Sequence, residues 1–265
     1  MFIKEYNDLL DIQDDVFDCY SMMDIAYFDI ETTGFDREED SLILISLGRF
    51  IDYNNFYIKQ YFAESLEDEK DILSEFEADL KKYSMWCSYN GIAFDEPFIK
   101  KRMEKHNIFF EAPKHHIDLY RRIRPYYKQL GMERCNLKSV EKHIGIQRED
   151  KIDGGISVDL YEEFLVTYEQ ALKETIMLHN YEDVLNLPKI HEFIYKVENN
   201  HNLIREDGIT DKQLKYLKSL LKKNELQLNA DLERISKKAA ARIIDQILKG
   251  YRDCEEMTNI INNSY

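Results

Sequence analysis

The sequence predicts an α/β fold: a mixed five-stranded sheet with helices on both faces, followed by a small C-terminal helical domain. Three observations carry that expectation. Apolar runs over residues 25–31, 41–51 and 55–63, separated by short polar turns, read as an antiparallel meander. Strand-like and helix-like segments then alternate to about residue 197, the pattern of a sheet covered by helices. Residues 208–252 change character, with eleven Lys/Arg against five Asp/Glu, while the rest of the chain sums to −21.

The chain has 265 residues, enough for one large domain with an appendage or for two domains. Its 14 Phe and 18 Tyr suit a packed core, and only 9 Gly and 4 Pro argue against long disordered linkers. No apolar run approaches the ~20 residues that span a bilayer. The acidic start, Met1 to Asp15, lacks the basic and apolar blocks of a signal peptide. Four scattered cysteines (Cys19, Cys87, Cys135, Cys254) indicate neither a zinc site nor a disulfide framework. These features together lead us to expect a soluble, cytoplasmic protein with reduced thiols and no membrane partner. The net charge of −15 argues against a uniformly basic nucleic-acid binder, but an average conceals the basic stretch at 208–252. Acids gathered around a metal also swell the negative count without repelling a phosphate once the metal is bound.

In chain order, residues 1–23 form the first expected unit, an N-terminal leader helix over 5–22 on Leu9, Leu10, Ile12, Val16 and Phe17. The main domain spans 24–200. After the meander, Ile72, Leu73, Phe76, Leu80 and Tyr83 recur at helical spacing over 68–83. A short strand at 85–89, a helix at 95–106, a strand at 114–119 and a helix at 136–144 follow. A long helical region covers 157–197, with a break expected at Pro188, where a backbone bond is lost. The small basic helical domain occupies 208–265. Thr210 and Gln213 have capping-box spacing, Leu214, Leu217 and Leu221 make an apolar stripe, and Lys212, Lys215, Lys218 and Lys222 make a second one. Ser236 caps a further helix through Leu248. Those lysines suit a solvated face or a phosphate contact equally well.

The chemistry begins at the end of the first strand. Asp29 and Glu31 are two apart, so in a strand they share a face. Carboxylates that close repel unless a proton or cation intervenes, and hard oxygen ligands favour Mg²⁺ or Mn²⁺. Acid pairs at strand ends are also common without a metal, and Thr32-Thr33-Gly34 is ordinary turn chemistry. Two later segments answer this pair. Asp95 opens a helix after a Gly-containing turn, where it serves as a cap or as a third carboxylate. His179 and Asp183 are four apart on one helix face, among Ile176, Leu178, Val184, Leu185 and Leu187. Ionisable groups on so apolar a helix require a partner, a metal or a base role.

Asp29-x-Glu31-Thr-Thr-Gly, Tyr89-Asn90-x-x-x-Phe94-Asp95-x-Pro97-Phe98 and the late Asp183 resemble the three exonuclease motifs of the DEDD 3′–5′ exonucleases, on the ribonuclease H-like fold. The stretch from Asn90 to Pro97 is similar to proofreading domains of family B polymerases. Asp118-Leu119, Cys135-Asn-Leu-Lys-Ser-Val-Glu141, Gly145-Ile-x-Arg148, Asp153-Gly154-Gly155 and His179-Asn180-x-x-Asp183 resemble the YprB-like branch of predicted exonucleases. The resemblance covers residues 24–197. Most DEDD enzymes place a His five before the last Asp or a Tyr four before it. Here a His stands at the Tyr spacing, so the choice between general base and water-orienting group stays open for His179.

The resemblance implies two-metal phosphodiester hydrolysis, with Asp29, Glu31, Asp95 and Asp183 holding two Mg²⁺ or Mn²⁺ ions and His179 as the catalytic histidine. It also implies nucleic-acid contacts from Thr32 and Thr33, which would seat the terminal nucleotide, and from Asn90. Lys138 and the stretch Arg121, Arg122, Arg124, Tyr126, Tyr127, Lys128 interleave cations with aromatics as single-strand grooves do. A solvated helix flank is the plainer account of that stretch. The expected partner is DNA or RNA, with a protein partner for the C-terminal domain as a further expectation. Two rivals are a non-catalytic docking module and a ribonuclease H-like endonuclease; retention of all four acids opposes the first, and the Tyr-Asn-x-x-x-Phe-Asp motif the second.

Overall fold

The computed structural model describes residues 1–152 and 154–264. Asp153, part of one quoted motif, lies outside the described residues. Strands β1 (Phe2–Leu9), β2 (Ile25–Thr32), β3 (Leu42–Phe50), β4 (Asn55–Phe62), β5 (Met85–Ser88) and β6 (His115–Asp118) form one sheet in the order β1-β4-β3-β2-β5-β6. The first four pair antiparallel, whereas β5 and β6 join β2 in parallel. Helices α1 (Asp14–Cys19), α2 (Glu69–Leu80), α3 (Asp95–Lys105), α4 (Leu119–Ile123), α5 (Leu137–His143), α6 (Gly154–Thr167) and α7 (Gln170–Glu198) surround it.

The central strand explains the layering. Ala26, Phe28 and Ile30 point to one face and pack with Phe76 of α2 and Phe98 and Ile99 of α3. Ile25 and Tyr27 point to the other and pack with Val184, Leu187 and Ile190 of α7. Covered on both sides, β2 reads as an apolar run rather than a simple alternation. Each Val, Leu or Ile so buried contributes roughly 1.5–3 kcal/mol. Alternation continues past Tyr27, so Asp29 and Glu31 fall on the α7 face.

The structure departs from the sequence expectation in three places. The leader is not one helix: Phe2–Leu9 is a sixth strand, paired with β4 from Phe2↔Phe62 to Leu9↔Asn55, and only Asp14–Cys19 is helical. β1 is largely exposed, so its side chains carry little periodic signal, and pairing covers the edge that β4 would otherwise present. The helical region does break, but at Tyr168–Glu169 between α6 and α7, with Tyr168 in the left-handed region (φ 56°), and not at Pro188. Pro188 sits inside α7, buried with Val184, Leu187, Ile190 and Ile194. That burial outweighs the single hydrogen bond the ring removes. Third, the C-terminal unit has three helices rather than two: α8 (Asp211–Lys223), α9 (Lys237–Leu248) and α10 (Cys254–Asn262).

α8, α9 and α10 share a separate core of Leu217, Leu221, Ile243, Ile247, Met257 and Ile260. Thr210 and Gln213 form the expected capping box, and the Ser236 side chain caps α9. α10 is fixed to the exposed edge of β6. Asn259 Nδ2 donates to the Lys114 carbonyl at 2.8 Å, and Asn263 Nδ2 to the His116 carbonyl at 2.7 Å. Four residues of helix rise about 6.0 Å and two of strand about 6.6 Å, so two asparagines at this spacing match alternate carbonyls of one strand edge.

Candidate active site

Three elements, β2, α3 and α7, converge at the C-terminal ends of β2 and β5. β2 delivers Asp29 and Glu31, and a register shift between Glu31 and Thr32 turns the strand just beyond them. α3 delivers Asp95 from its first turn, where acids are favoured. α7 delivers His179 and Asp183 one turn apart across the same gap. Glu31, His179 and Asp183 present an oxygen or nitrogen apiece, all within 4.8 Å of one another. His179 Nε2 lies 3.8 Å from Glu31 and 3.6 Å from Asp183.

Electrostatics tie Asp29 and Asp95 to the same cluster. Burial pushes the Asp29 carboxyl well above the usual range, and the charges of Asp95, Asp183 and Glu31 push it further. Glu31 is raised in the same way, by burial first and then by Asp183. Burial and neighbouring acids raise Asp95 to about 7 against the pull of the Ile30 and Asp95 amides. Three carboxyls held above their ordinary values by burial first and by neighbouring acids second are short of positive charge. The donor set therefore fits hard divalent ions: oxygens from Asp29, Glu31, Asp95 and Asp183, and one imidazole nitrogen, which Mn²⁺ accepts more readily than Mg²⁺.

A second tier holds these groups in place, and the sequence reading assigned it no role. Arg148 lies under α7 and pairs with Asp183, with Glu141 at 3.1 Å, Asp150 at 3.1 Å and Glu182 at 3.4 Å, and donates to the His179 carbonyl at 2.8 Å. Asp150 Oδ2 lies 2.8 Å from His179 Nδ1. Burial would raise the Asp150 carboxyl, but His179, the Ile152 amide and Lys138 hold it at about 2. An ionised acceptor at Nδ1 keeps a proton on that nitrogen, so Nε2 is the ring nitrogen turned toward the carboxylates. Asn180 donates to Asp29 at 2.7 Å and is itself held by Ser46 and, behind it, Gln60. Glu141, Arg148 and Asn180 all stand in the motifs quoted above, which was the available signal; Asp150 had none.

The expected nucleic-acid residues divide. Asn90 is exposed just past β5 in the left-handed region (φ 67°), its amide held by Asp118 at 2.9 Å. Arg124 faces a groove beside it. The Thr32 and Thr33 hydroxyls close their own turn, Thr32 on the Gly34 carbonyl at 2.6 Å and Thr33 on Asp40 at 3.3 Å. That turn is tight: a Cβ on Gly34 would lie 2.3 Å from Asp40 Oδ2. Arg121, Arg122 and Lys138 do not join the groove. Arg121 pairs with Asp118 at 3.2 Å and the Asn263 carbonyl at 2.9 Å, Arg122 with Glu198 and Tyr20, and Lys138 with Asp150 at 3.0 Å. Helix α4 is too short to turn all of its arginines toward one surface, which spacing alone does not reveal. Tyr126 is likewise buried.

A sheet of four antiparallel strands continued by two parallel ones, with acids at the end of strand β2 and on a closing helix, defines a ribonuclease H-like α/β protein. The chain belongs to the RNase_H superfamily, whose model matches residues 26–195. No curated protein matches it. Among solved structures, it is similar to the family B DNA polymerase from the hyperthermophilic archaeon Pyrobaculum calidifontis, with 15% identity and a TM-score of 0.50. That match covers 86% of this chain and 27% of the polymerase, and it bears on the fold.

Proposed function

We propose that this chain is a metal-dependent 3′–5′ exonuclease that hydrolyses phosphodiester bonds of nucleic acid. The observation that carries the reading is the meeting of Asp29, Glu31, Asp95 and Asp183, from three separate elements, with His179 among them. Asp29, Glu31, Asp95 and Asp183 would hold two Mg²⁺ or Mn²⁺ ions. When bound, such ions acidify water and neutralise the phosphate.

The chain's own residues supply the rest. Asp150 fixes the imidazole so that Nε2 is the nitrogen that takes a proton from the attacking water. Arg148 binds both Asp183 and the His179 carbonyl, so the base and the acid one turn away keep a fixed spacing. Asn180, from the same helix turn, orients Asp29. Asn90, exposed just past β5, would help fix the scissile strand.

The polarity is tested with a 5′-labelled oligonucleotide carrying either a free 3′-hydroxyl or a 3′-terminal blocking group. A ladder that shortens from the free 3′ end and stalls on the blocked one is expected. Internal cuts on both substrates would reject an exonuclease. His179→Ala keeps all four carboxylates and should lose about 10²–10⁴-fold in rate, the range for a lost general base. A loss as complete as that of Asp29→Asn would assign His179 to the metal instead.

A further inference from the structure

A groove of about 670 Å³ opens beside the acid cluster, with Tyr89, Asn90, Tyr120, Arg124, Tyr127 and Arg134 in its lining. Its lining includes Asn90 and Leu137, each adjoining a segment that reaches the site. One wall is the turn from Asn90 to Asp95, where a Cβ on Gly91 would lie 3.4 Å from Asp95 Oδ2. The other is the start of α5, whose Lys138 reaches Asp150, the partner of His179.

The groove floor alternates aromatic rings and cations. The Tyr89 and Tyr120 rings meet edge to face with centroids 5.8 Å apart. The Arg124 guanidinium bonds the Tyr120 side chain and lies 4.7 Å from the Tyr127 ring centre, and Lys128 covers the same ring at 5.8 Å. Tyr89 is locked by its hydroxyl on the Cys135 carbonyl at 2.7 Å, which joins the two walls. Arg134 is exposed at the rim and has no ion-pair partner among the described residues. Of the charged lining residues only Glu133 is acidic.

A row of rings and guanidinium planes offers π-faces to unpaired bases, while its cations follow the phosphates. A duplex keeps its bases stacked inside and cannot use such a row. We propose that this groove seats the unpaired bases of a single-stranded nucleic acid and feeds its end to the acid cluster, with Tyr120, Arg124 and Tyr127 as the stacking platform. The proposal rests on the nuclease reading for its direction but not for its test.

The test is binding to the full chain in EDTA, so that hydrolysis is not required. The probes are fluorescein-labelled dT12, an abasic chain of equal length with the same phosphates, and a blunt duplex, followed by fluorescence anisotropy. The dT12 strand should bind at least about ten-fold more tightly than the abasic chain, the size of one lost base–aromatic stack. Tyr127→Phe should keep that preference and Tyr127→Ala should lose it. Arg134→Glu, at an exposed position, should weaken dT12 and the abasic chain alike. Equal binding of dT12 and the abasic chain, or tighter binding of the duplex, overturns the proposal. A base-dependent grip without hydrolysis in Mg²⁺ would leave the groove standing and reject the nuclease; hydrolysis without that grip would do the reverse.

Discussion

Arg148 stands out at the residue scale, because its guanidinium is buried among Glu141, Asp150, Glu182 and Asp183. Burial works against its charge, but the neighbouring carboxylates, Asp183 first, raise its pKa above the usual arginine value. Arg148→Met should therefore destabilise the fold by about 3–5 kcal/mol in urea unfolding, because it leaves buried carboxylates without their counter-charge. A change below about 1 kcal/mol would show that those acids find solvent instead. A second buried ion pair gives a clean pH prediction away from the site. Burial would raise Glu69, but Arg102, His106 and the Leu42 amide outweigh it and hold its carboxyl below the usual value. A depressed acid contributes stability that is present above its unfolded pKa, near ~4.3, and lost as pH falls through its folded value. The urea midpoint should accordingly drop between pH 6 and pH 3, and Glu69→Gln should flatten that part of the drop while lowering the midpoint at pH 6. An acid limb of unchanged steepness in Glu69→Gln would contradict this.

The elements show which sequence signals were decisive. β2, β3 and β4 were legible because both faces of each strand carry apolar side chains into a core. The acids were legible because two-residue spacing on a strand and four-residue spacing on a helix each fix a shared face. β1 was not, since an exposed edge strand is held by backbone pairing that leaves no side-chain pattern. α10 escaped for a related reason: its anchors are two asparagines whose meaning depends on the carbonyls of β6. Arg148 and Asp150 lie in a loop, where no periodicity says which way a side chain turns. The α10 contact carries its own prediction. Asn259→Ala with Asn263→Ala should cost about 4 kcal/mol, four side-chain hydrogen bonds at about 1 kcal/mol each. Hydrogen exchange should accelerate at residues 115–118 while residues 25–30, on the central strand, stay protected. Uniform acceleration over the whole sheet would mean that α10 stabilises the core rather than an edge.

Across the whole molecule, charge is sorted rather than averaged. Some of the acids are gathered at one end of the sheet, while the basic residues of 208–252 sit on a helical unit clamped to β6. Because that unit covers a sheet edge, removing it would expose backbone as well as delete charge, so point substitutions are the sounder probe of its lysines. The same sorting makes the fold hold acids together against their repulsion. Asp29→Asn relieves that repulsion and keeps an acceptor for Asn180, so its metal-free thermal midpoint should equal or exceed that of the wild type. Mn²⁺ should raise the wild-type midpoint by several degrees at concentrations well above its dissociation constant, and raise that of Asp29→Asn far less. Equal shifts would place the bound metal elsewhere on the acidic surface.

The most direct measurement is the rate at which wild type and Asp29→Asn shorten a 5′-labelled single strand in Mg²⁺ or Mn²⁺, with both proteins shown to be folded. Metal-dependent shortening by the wild type and none by the variant is the expected result. Equal rates from the two would contradict it.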